Sequence, residues 1–272
     1  MNPNRSKPVS EHPFLALPKP LVMAHRGGMG LWPPNTLFAY QRSVELGVDV
    51  LEMDIHRTVD GVIVVRHDPT VDATTDGSGA ICDLTLEEIK SFDAGYTWTG
   101  DGGETHPFRR QGITIPTLEE VLTAFPEMRL NIDIKPDDPA IVPQFAKMLR
   151  EFDRLDSVLV ASFHDPQLRK FRELCPQVAT AGGVSETRSF TILSALSLHG
   201  IYRPRAEAFQ PPEYYGPLHV VTERFVRGAH THNMEVHPWT VNEIEDMRRL
   251  LGWGVDGLIT DYPDRLMGLL GR

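Results

Sequence analysis

The chain has 272 residues, of which 41% are hydrophobic and 24% are charged. This length suits a single α/β barrel of roughly 250 residues, and the composition excludes disordered and fibrous proteins. Lysine and arginine number 27 against 37 aspartate and glutamate residues, which gives a net charge of −10. Because the chain is acidic and has no long basic run, we do not expect it to bind nucleic acid.

The first twenty residues carry five prolines and are expected to form a flexible arm, followed by one domain over residues 21–270. The apolar stretch at residues 14–17 is shorter than a signal-peptide core of about 7 to 15 residues. No apolar run reaches the roughly 18 residues of a membrane span. Cys82 and Cys175 are too few for a disulfide framework. These features predict a cytoplasmic protein without a transmembrane segment.

Eight short apolar runs are predicted to be buried parallel strands. They lie at residues 21–24, 48–55, 129–134, 157–162, 178–181, 206–210, 235–239 and 257–260. Helix-start signals lie between them, at Thr36, at Thr117 with Glu120, at Asp165 with Pro166 and at Asn242 with Glu245. This alternation predicts an α/β fold, a (β/α)8 barrel of the TIM type with helices on its outer side.

The run at residues 61–66 follows the second strand too closely for a parallel crossover, which needs about a dozen residues. Asp60-Gly61 is favoured in two-residue type I′ turns, so the sequence predicts a short antiparallel hairpin. In that register, paired residue numbers sum to 121 and Asp54 faces His67. The segment that follows, residues 68–112, is expected to be a lid-like insertion over the barrel mouth.

Residues capable of chemistry follow these strands. His25 and Arg26 come directly after the first strand, at the end of a barrel where catalytic loops lie. Glu52 and Asp54 are two residues apart on the second strand, so both carboxylates point to one face. Their repulsion would be relieved by Mg²⁺ or Ca²⁺, or alternatively by a structural network with arginine or lysine.

Asp133 and Lys135 repeat the two-residue spacing at the end of the next predicted parallel strand. They bring a third carboxylate and a cation to the same mouth, which favours a metal site over a structural network. The remaining histidines considered as ligands show no ligand spacing and are expected on the surface or in loops. They are His164, His230, His232 and His237.

The order of these motifs resembles that of the glycerophosphodiester phosphodiesterases. The stretches that carry the resemblance are HRGGMGLWPPNT at 25–36, EMD at 52–54, HD at 67–68, DIK at 133–135, ASFHD around Phe163, HPWTVN at 237–242 and GVDGLITDYPD at 254–264. Two positions depart from the family pattern, since Pro34 and Asp133 each stand where the family usually has Glu. The change at Pro34 is expected to affect the orientation of Arg26 or the helix start at Thr36.

The resemblance implies a TIM-type barrel that hydrolyses glycerophosphodiesters to sn-glycerol 3-phosphate and an alcohol. It also implies one divalent metal ion, Mg²⁺ or Ca²⁺, with Mn²⁺ as a further choice. By position, His25 and His67 become the general acid and base, a role that suits an imidazole pKa near about 6.5. The other implied residues are the metal ligands Glu52, Asp54 and Asp133, the phosphate-binding Arg26 and Lys135, and the substrate-lining Phe163, Gln210 and Trp239.

Two alternative functions stay open at this point. The same site would act on lysophospholipids, as a lysophospholipase D does, if aromatic residues of the insertion form an apolar channel; these are Phe92, Tyr96, Trp98 and Phe108. The two departures from the family pattern suggest instead a barrel that binds phosphodiesters without turnover. Both histidines are retained, which favours the enzyme, since binding alone needs no proton-transfer group. The expected partner is a small-molecule phosphodiester, and the oligomeric state is not predicted.

Overall fold

The chain alternates short strands with helices from residue 21 to its end, in a computed structural model that describes residues 12–272. The strands are β1 (Leu21–Ala24), β2 (Val50–Arg57), β3 (Ile63–Val65), β4 (Arg129–Ile134), β5 (Val158–Ala161), β6 (Ala179–Thr180), β7 (Ala208–Phe209), β8 (Tyr214–Tyr215), β9 (Leu218–His219), β10 (Glu235–Val236) and β11 (Gly257–Thr260). The helices are α1 (Leu37–Leu46), α2 (Leu86–Ser91), α3 (Leu118–Ala124), α4 (Ile141–Glu151), α5 (Asp165–Leu174), α6 (Val184–Ala195), α7 (Glu223–His230), α8 (Ile244–Gly252) and α9 (Pro263–Leu270). None of these helices is long and apolar enough to cross a bilayer.

Eight of the strands close into a ring. Six pair in parallel in the order β11-β1-β2-β4-β5-β6. A parallel bridge between Ala181 and Ala208 continues the ring to β7, which pairs in parallel with β10. The amide of Asp256 donates to the carbonyl of Val236 at 3.0 Å and links β10 back to β11. The predicted (β/α)8 barrel is confirmed, and each predicted run overlaps one strand.

The alternation of side chains along β2 aims its carboxylates into the barrel. Leu51, Met53 and Ile55 are fully buried and belong to the main core that includes the outer helices. Because side chains alternate along a strand, Glu52 and Asp54 face the barrel interior. The fold therefore aims these two carboxylates into the barrel from between the buried apolar residues of the strand.

The segment before β1 closes the N-terminal end of the barrel. Phe14 is fully buried and packs in an interior cluster with Leu21. The side chain of Arg129 donates a hydrogen bond to the carbonyl of Phe14 at 3.1 Å. The expected flexible arm is therefore wrong for residues 12–20, because an aromatic side chain fills the end of the barrel despite the surrounding prolines. Residues 1–11 of the expected arm lie outside the described part of the chain.

β3 pairs antiparallel with β2, with Ile55 opposite Val65. Paired residue numbers sum to 120, so the predicted register is wrong by one residue. Asp54 accepts a backbone hydrogen bond from the amide of Arg66 at 2.8 Å and does not face His67. A shift of one residue matters because it moves each side chain to the other face.

The loop of this hairpin explains the shift. The amide of Thr58 donates to the carbonyl of Val62 at 2.9 Å, which leaves three residues in the loop. Gly61 adopts φ 85°, the left-handed conformation that glycine takes without strain. A three-residue loop with glycine in this position is a common alternative to the predicted two-residue type I′ turn.

Residues 68–112 form a small packed unit of their own. Val71, Ile81 and Ile89 are buried together with Val64 of β3. The indole Nε1 of Trp98 donates to the carbonyl of Met29 at 3.0 Å, in the loop that follows β1. The insertion thus contacts a loop at the barrel mouth, and its action as a lid stays a prediction.

Candidate active site

The polar residues singled out in the sequence gather at the C-terminal ends of the barrel strands. His25 directly follows β1, Asp54 lies in β2 and Lys135 directly follows β4. Because neighbouring parallel strands end at the same edge, these side chains share one mouth. The antiparallel β3 returns the chain to the level of Asp54, where Arg66 and His67 follow it.

His25 is held by a carboxylate at the end of a neighbouring strand. Its Nδ1 lies 2.5 Å from Oδ1 of Asp261, which directly follows β11. Asn242 donates through Nδ2 to the other oxygen of Asp261 at 2.7 Å. Burial alone would raise the pKa of Asp261, but the hydrogen bond from His25 and the charge of the imidazole lower it. Asp261 is therefore an ionised acceptor, and Nε2 of His25 remains for the substrate.

Glu52 lies directly beneath Arg26. Its Oε2 accepts a hydrogen bond from the backbone amide of Arg26 at 2.8 Å, and the residue is 6% exposed. Burial, followed by the charge of Asp54, raises the pKa of Glu52 to about 7. The site thus holds a carboxyl group that is only half ionised near neutral pH.

Asp54 is surrounded by cations. Its Oδ1 lies 2.9 Å from Nζ of Lys135, and its Oδ2 lies 3.6 Å from Nε of Arg26. The Oδ2 atom also accepts a hydrogen bond from Nδ2 of Asn35 at 3.0 Å. Burial alone would raise the pKa of Asp54, but Lys135 and Arg26 hold it below its usual range. Asp54 is therefore ionised.

Asp133 lies opposite Asp54 in the β2–β4 pair. Its Oδ2 is 2.7 Å from Nζ of Lys135, whereas its Oδ1 is buried without a hydrogen-bond partner in residues 12–272. Burial raises the pKa of Asp133. Burial would lower the pKa of Lys135, but the two carboxylates raise it, so the lysine is charged.

His67 forms a second pair of histidine and carboxylate. Its Nδ1 is 2.7 Å from Oδ1 of Asp68, and its backbone carbonyl is 3.0 Å from Nε2 of His56. Burial lowers the pKa of His67, and the charge of Asp54 and the hydrogen bond with Asp68 only partly offset this effect. His67 is therefore neutral at pH 7 and able to accept a proton.

The three residues predicted to line the substrate pocket lie together. The rings of Phe163 and Trp239 meet edge to face at 5.8 Å, and the indole of Trp239 donates to the carbonyl of Gln210 at 2.6 Å. Nζ of Lys135 lies 5.5 Å from the centre of the Phe163 ring. Phe163 is 55% exposed, so this aromatic wall beside the lysine is open to solvent.

The aromatic residues of the insertion pack on one another. The ring of Phe108 lies 4.9 Å from that of Trp98 and 5.2 Å from that of Phe38. The Arg109 guanidinium covers the ring of Tyr96 at 4.3 Å. These contacts occupy the side chains that an apolar channel for an acyl chain would need.

The change at Pro34 leaves the start of α1 intact. The hydroxyl of Thr36 donates to the carbonyl of Pro33 at 2.8 Å and accepts from the amide of Ala39 at 3.1 Å. Nε of Arg26, however, is buried without a hydrogen-bond partner in the described chain. The helix therefore does not need a carboxylate at position 34, whereas the arginine has an unused donor at the site.

The carboxylates match a divalent cation in kind and in charge. Glu52 and Asp133 both have raised pKa values caused first by burial, and Asp133 has a buried oxygen without a partner in residues 12–272. Both observations indicate too little positive charge for three carboxylates. Across the described residues, no three acidic, histidine or cysteine side chains are grouped closely enough to hold an ion. Two of the carboxylates instead contact Nζ of Lys135, Asp54 at 2.9 Å and Asp133 at 2.7 Å.

Sequence reasoning missed the residues that hold the histidine and Asp54. Asn242 was expected to cap α8, but Glu243 occupies that position. The side-chain amide of Asn242 instead donates through Nδ2 to the carboxylate of Asp261 and accepts through Oδ1 from its backbone amide. Asn35 binds Asp54 and is in turn held by the hydroxyl of Tyr40 at 2.8 Å. Asp261 could have been found because it is a polar residue directly after a predicted strand, as His25 is.

One histidine lies outside the strands, as expected, but its burial was not predicted. His237 was expected at the surface or in a loop, but it is fully buried. Its Nε2 lies 2.9 Å from Oε2 of Glu235, and its Nδ1 lies 3.4 Å from Nε2 of Gln210. It directly follows β10, where the inner face of the barrel is packed.

Comparisons with known proteins give matches over most of the chain. The model of the glycerophosphoryl diester phosphodiesterase family matches residues 25–265. The chain is 36% identical over 264 residues to a glycerophosphodiester phosphodiesterase of Caldanaerobacter subterraneus subsp. tengcongensis, covering 93% of this chain and 99% of that protein. It is 33% identical to a glycerophosphodiester phosphodiesterase of Bacillus subtilis, covering 90% of this chain and 84% of that protein.

Two solved structures have the same fold. One is the glycerophosphoryl diester phosphodiesterase domain of an uncharacterized Mycobacterium tuberculosis protein, with a TM-score of 0.82, 24% identity, and coverage of 94% of this chain and 100% of that one. The other is an Oleispira antarctica phosphodiesterase in complex with the product sn-glycerol-3-phosphate. Its TM-score is 0.71 at 25% identity, and the match covers 93% of this chain and 97% of that one.

Proposed function

Because this chain belongs to the glycerophosphoryl diester phosphodiesterase family and is a phosphodiesterase, we propose that His25 and His67 carry its proton transfers. The observation that carries this proposal is the pairing of each imidazole with a carboxylate at one barrel mouth. His25 is paired with Asp261 at 2.5 Å and His67 with Asp68 at 2.7 Å. A carboxylate that accepts from Nδ1 orients the ring and stabilises the imidazolium that forms during catalysis.

The lowered pKa of His67 supports its role as the general base. In this assignment His67 takes the proton of the attacking water or hydroxyl as the new bond to phosphorus forms. His25, protonated and held by Asp261, gives its proton to the oxygen of the departing alcohol as the old bond to phosphorus breaks. The phosphorus keeps its oxidation state, and one water is consumed overall for each monoester and alcohol released.

Arg26 and Lys135 are proposed to hold the phosphate. Nε of Arg26 is a buried donor without a hydrogen-bond partner in residues 12–272, with only the ion pair to Asp54 at 3.6 Å, and Lys135 is a charged ammonium group. Donors of this kind form short, charge-assisted hydrogen bonds with phosphoryl oxygens. Phosphate binding would also give the arginine the acceptor that it lacks.

Glu52, Asp54 and Asp133 are proposed as the ligands of one divalent cation, Mg²⁺ or Ca²⁺, with Mn²⁺ also suitable. When bound, such an ion supplies positive charge that polarises a phosphoryl oxygen. Their oxygen donors are of the kind that these hard cations prefer. The raised pKa of Glu52 and the unpartnered oxygen of Asp133 support the assignment.

The substrate class proposed is the glycerophosphodiesters, with sn-glycerol 3-phosphate as one product. Phe163, Gln210 and Trp239 are proposed to line the pocket beside Lys135. The mutual packing of the aromatic residues in the insertion gives no support to a lysophospholipid channel. A cytoplasmic location and the absence of nucleic-acid partners stay predictions.

The test is release of sn-glycerol 3-phosphate from glycerophosphocholine by the purified protein. EDTA should stop the release, and Mg²⁺, Ca²⁺ or Mn²⁺ added in turn should restore it with at least one ion. Lysophosphatidylcholine assayed in parallel should give much slower release. Activity that survives EDTA would contradict the metal assignment, and faster turnover of lysophosphatidylcholine would contradict the substrate class.

A further inference from the structure

Exposed apolar side chains are concentrated on one flank of the barrel. Eleven large hydrophobic side chains are exposed within residues 12–272, and eight of them lie between residues 184 and 218. They belong to α6, to the loop that follows it and to the hairpin β8–β9. Soluble proteins usually scatter such residues singly, and a concentrated set marks a contact surface. We call this surface, with α7 at its edge, the α6 flank.

The helix contributes an outward stripe. Val184, Arg188, Ile192 and Leu196 follow one another at intervals of four residues, so they lie on one side of the helix and its last turn. All four are exposed, whereas Phe190 on the opposite side is fully buried. The stripe therefore faces solvent and makes no contribution to the core.

The hairpin adds an aromatic edge to the flank. Tyr214 is 54% exposed, Tyr215 is 75% exposed and Leu218 is 52% exposed. A cavity of about 420 Å³ lies between the hairpin and the helices and is lined by Leu218, Ala195 of α6 and Arg224 of α7. These shared lining residues make the hairpin, α6 and α7 parts of one continuous surface.

The charge of the flank differs from that of the whole chain. Residues 184–230 contain five arginines and four glutamates, whereas the chain carries a net charge of −10. Three of these glutamates are neutralised by arginines at 2.7–2.9 Å, in the pairs Glu186–Arg172, Glu213–Arg249 and Glu223–Arg227. The acidic side chains of the flank are thus largely compensated.

Four arginines of the flank are exposed and make no ion pair with a carboxylate of residues 12–272. They are Arg188, Arg203, Arg205 and Arg224. Arg224 instead donates to the carbonyl of Ala195 at 3.0 Å. The flank therefore combines uncompensated positive charge with exposed aromatic and aliphatic side chains.

We propose that the α6 flank docks on an anionic lipid bilayer. Tyrosine suits the boundary between headgroups and acyl chains because one end of its side chain is apolar and the other polar. Arginines beside it are attracted to the phosphates of anionic lipids. A second copy of the chain is the poorer occupant, because a two-fold contact brings together two copies of the same positively charged surface. The proposal does not depend on the catalytic assignments.

Vesicle co-sedimentation tests the proposal with the full chain. The protein is mixed with vesicles of phosphatidylcholine alone or of phosphatidylcholine with phosphatidylglycerol, and should bind the second kind in a salt-sensitive manner. Two double variants remove the apolar side chains and the arginines in turn. The apolar variant is Tyr215→Ser with Leu218→Ser, and the arginine variant is Arg188→Gln with Arg224→Gln. Val59→Ser with Ile244→Ser is the matched control, since these side chains are 56% and 40% exposed and lie outside the flank.

The apolar variant should weaken binding about tenfold or more, and the arginine variant about 25-fold. The control should bind as the wild type does, and all three variants should keep the circular dichroism spectrum of the wild type, which shows that they fold. Equal binding to both kinds of vesicle, or binding that neither variant weakens, would overturn the proposal. A concentration-dependent dimer that is abolished by Tyr215→Ser with Leu218→Ser would also overturn the proposal, since a second copy of the chain would then occupy the flank.

Discussion

Nδ1 of His25 lies 2.5 Å from Oδ1 of Asp261, and this contact joins residues that directly follow the neighbouring strands β1 and β11. Asn242 holds the carboxylate by donating to its other oxygen. The parallel pairing of the two strands therefore sets the position of the imidazole before any substrate binds. Preorganisation of this kind lets a histidine transfer a proton without first reorienting.

Asp261→Asn should lower kcat on the order of 100-fold or more and change KM little. The side-chain amide of the substituted residue can donate to Nδ1 of His25, and this favours the tautomer with its proton on Nε2. The substitution also removes the negative charge that stabilises the imidazolium. Steady-state rates over a range of pH check this, because a positioning role also shifts the pH profile. Asp264→Asn is the matched control, an exposed carboxyl three residues away. An Asp261→Asn protein with wild-type kcat would rule out the role.

Metal binding should release a proton below pH 7. The pKa of Glu52 is raised to about 7, so at lower pH the carboxyl is mainly protonated and must lose that proton to bind a cation. Affinity should therefore fall about tenfold for each pH unit below 7 and level off above it. Calorimetry in two buffers with different ionisation enthalpies measures the protons released.

Glu52→Gln should bind metal weakly and lose this proton release, whereas Glu45→Gln on the exposed face of α1 should behave as the wild type does. A carboxyl group with an ordinary pKa of roughly 4.3 would give a metal affinity that stays constant between pH 5.5 and 7. Such a constant affinity would contradict the assignment of Glu52 as a ligand.

Phe14→Ala should destabilise the folded chain by about 3–5 kcal/mol, because it leaves a cavity at the N-terminal end of the barrel. The folded variant should keep its kcat, since the active site lies at the other end. Urea unfolding followed by circular dichroism measures the loss, with Val59→Ala at an exposed position as the control. A loss below about 1 kcal/mol would show that the segment before β1 does not support the barrel.

The strand pattern could be predicted because burial on both faces leaves a continuous apolar run. β1, β4 and β11 have the predicted bounds for this reason. The hairpin register could not be predicted, because Asp60-Gly61 suits both a two-residue and a three-residue loop. Only the pairing of Thr58 with Val62 distinguishes the two loop lengths. Phe14 was missed since its partners come from distant strands of the barrel interior.

The candidate site was predicted in part. The spacing of Glu52 with Asp54 and of Asp133 with Lys135 follows from strand alternation, and Lys135 does contact Asp54 and Asp133. The positions of Asp261 and Asn242 depend on which strands become neighbours in the closed ring, and no local pattern contains that information. The assigned roles of the site residues stay predictions.

The most direct test of the catalytic account is the rate at which His25→Ala releases sn-glycerol 3-phosphate from glycerophosphocholine, with metal affinity measured on the same sample. The account predicts a loss on the order of 1,000-fold or more in kcat, because the proton donor to the departing alcohol is gone. Metal affinity should stay within about threefold of the wild type, since His25 is not a proposed ligand. A variant that keeps a tenth or more of the wild-type rate would contradict the account.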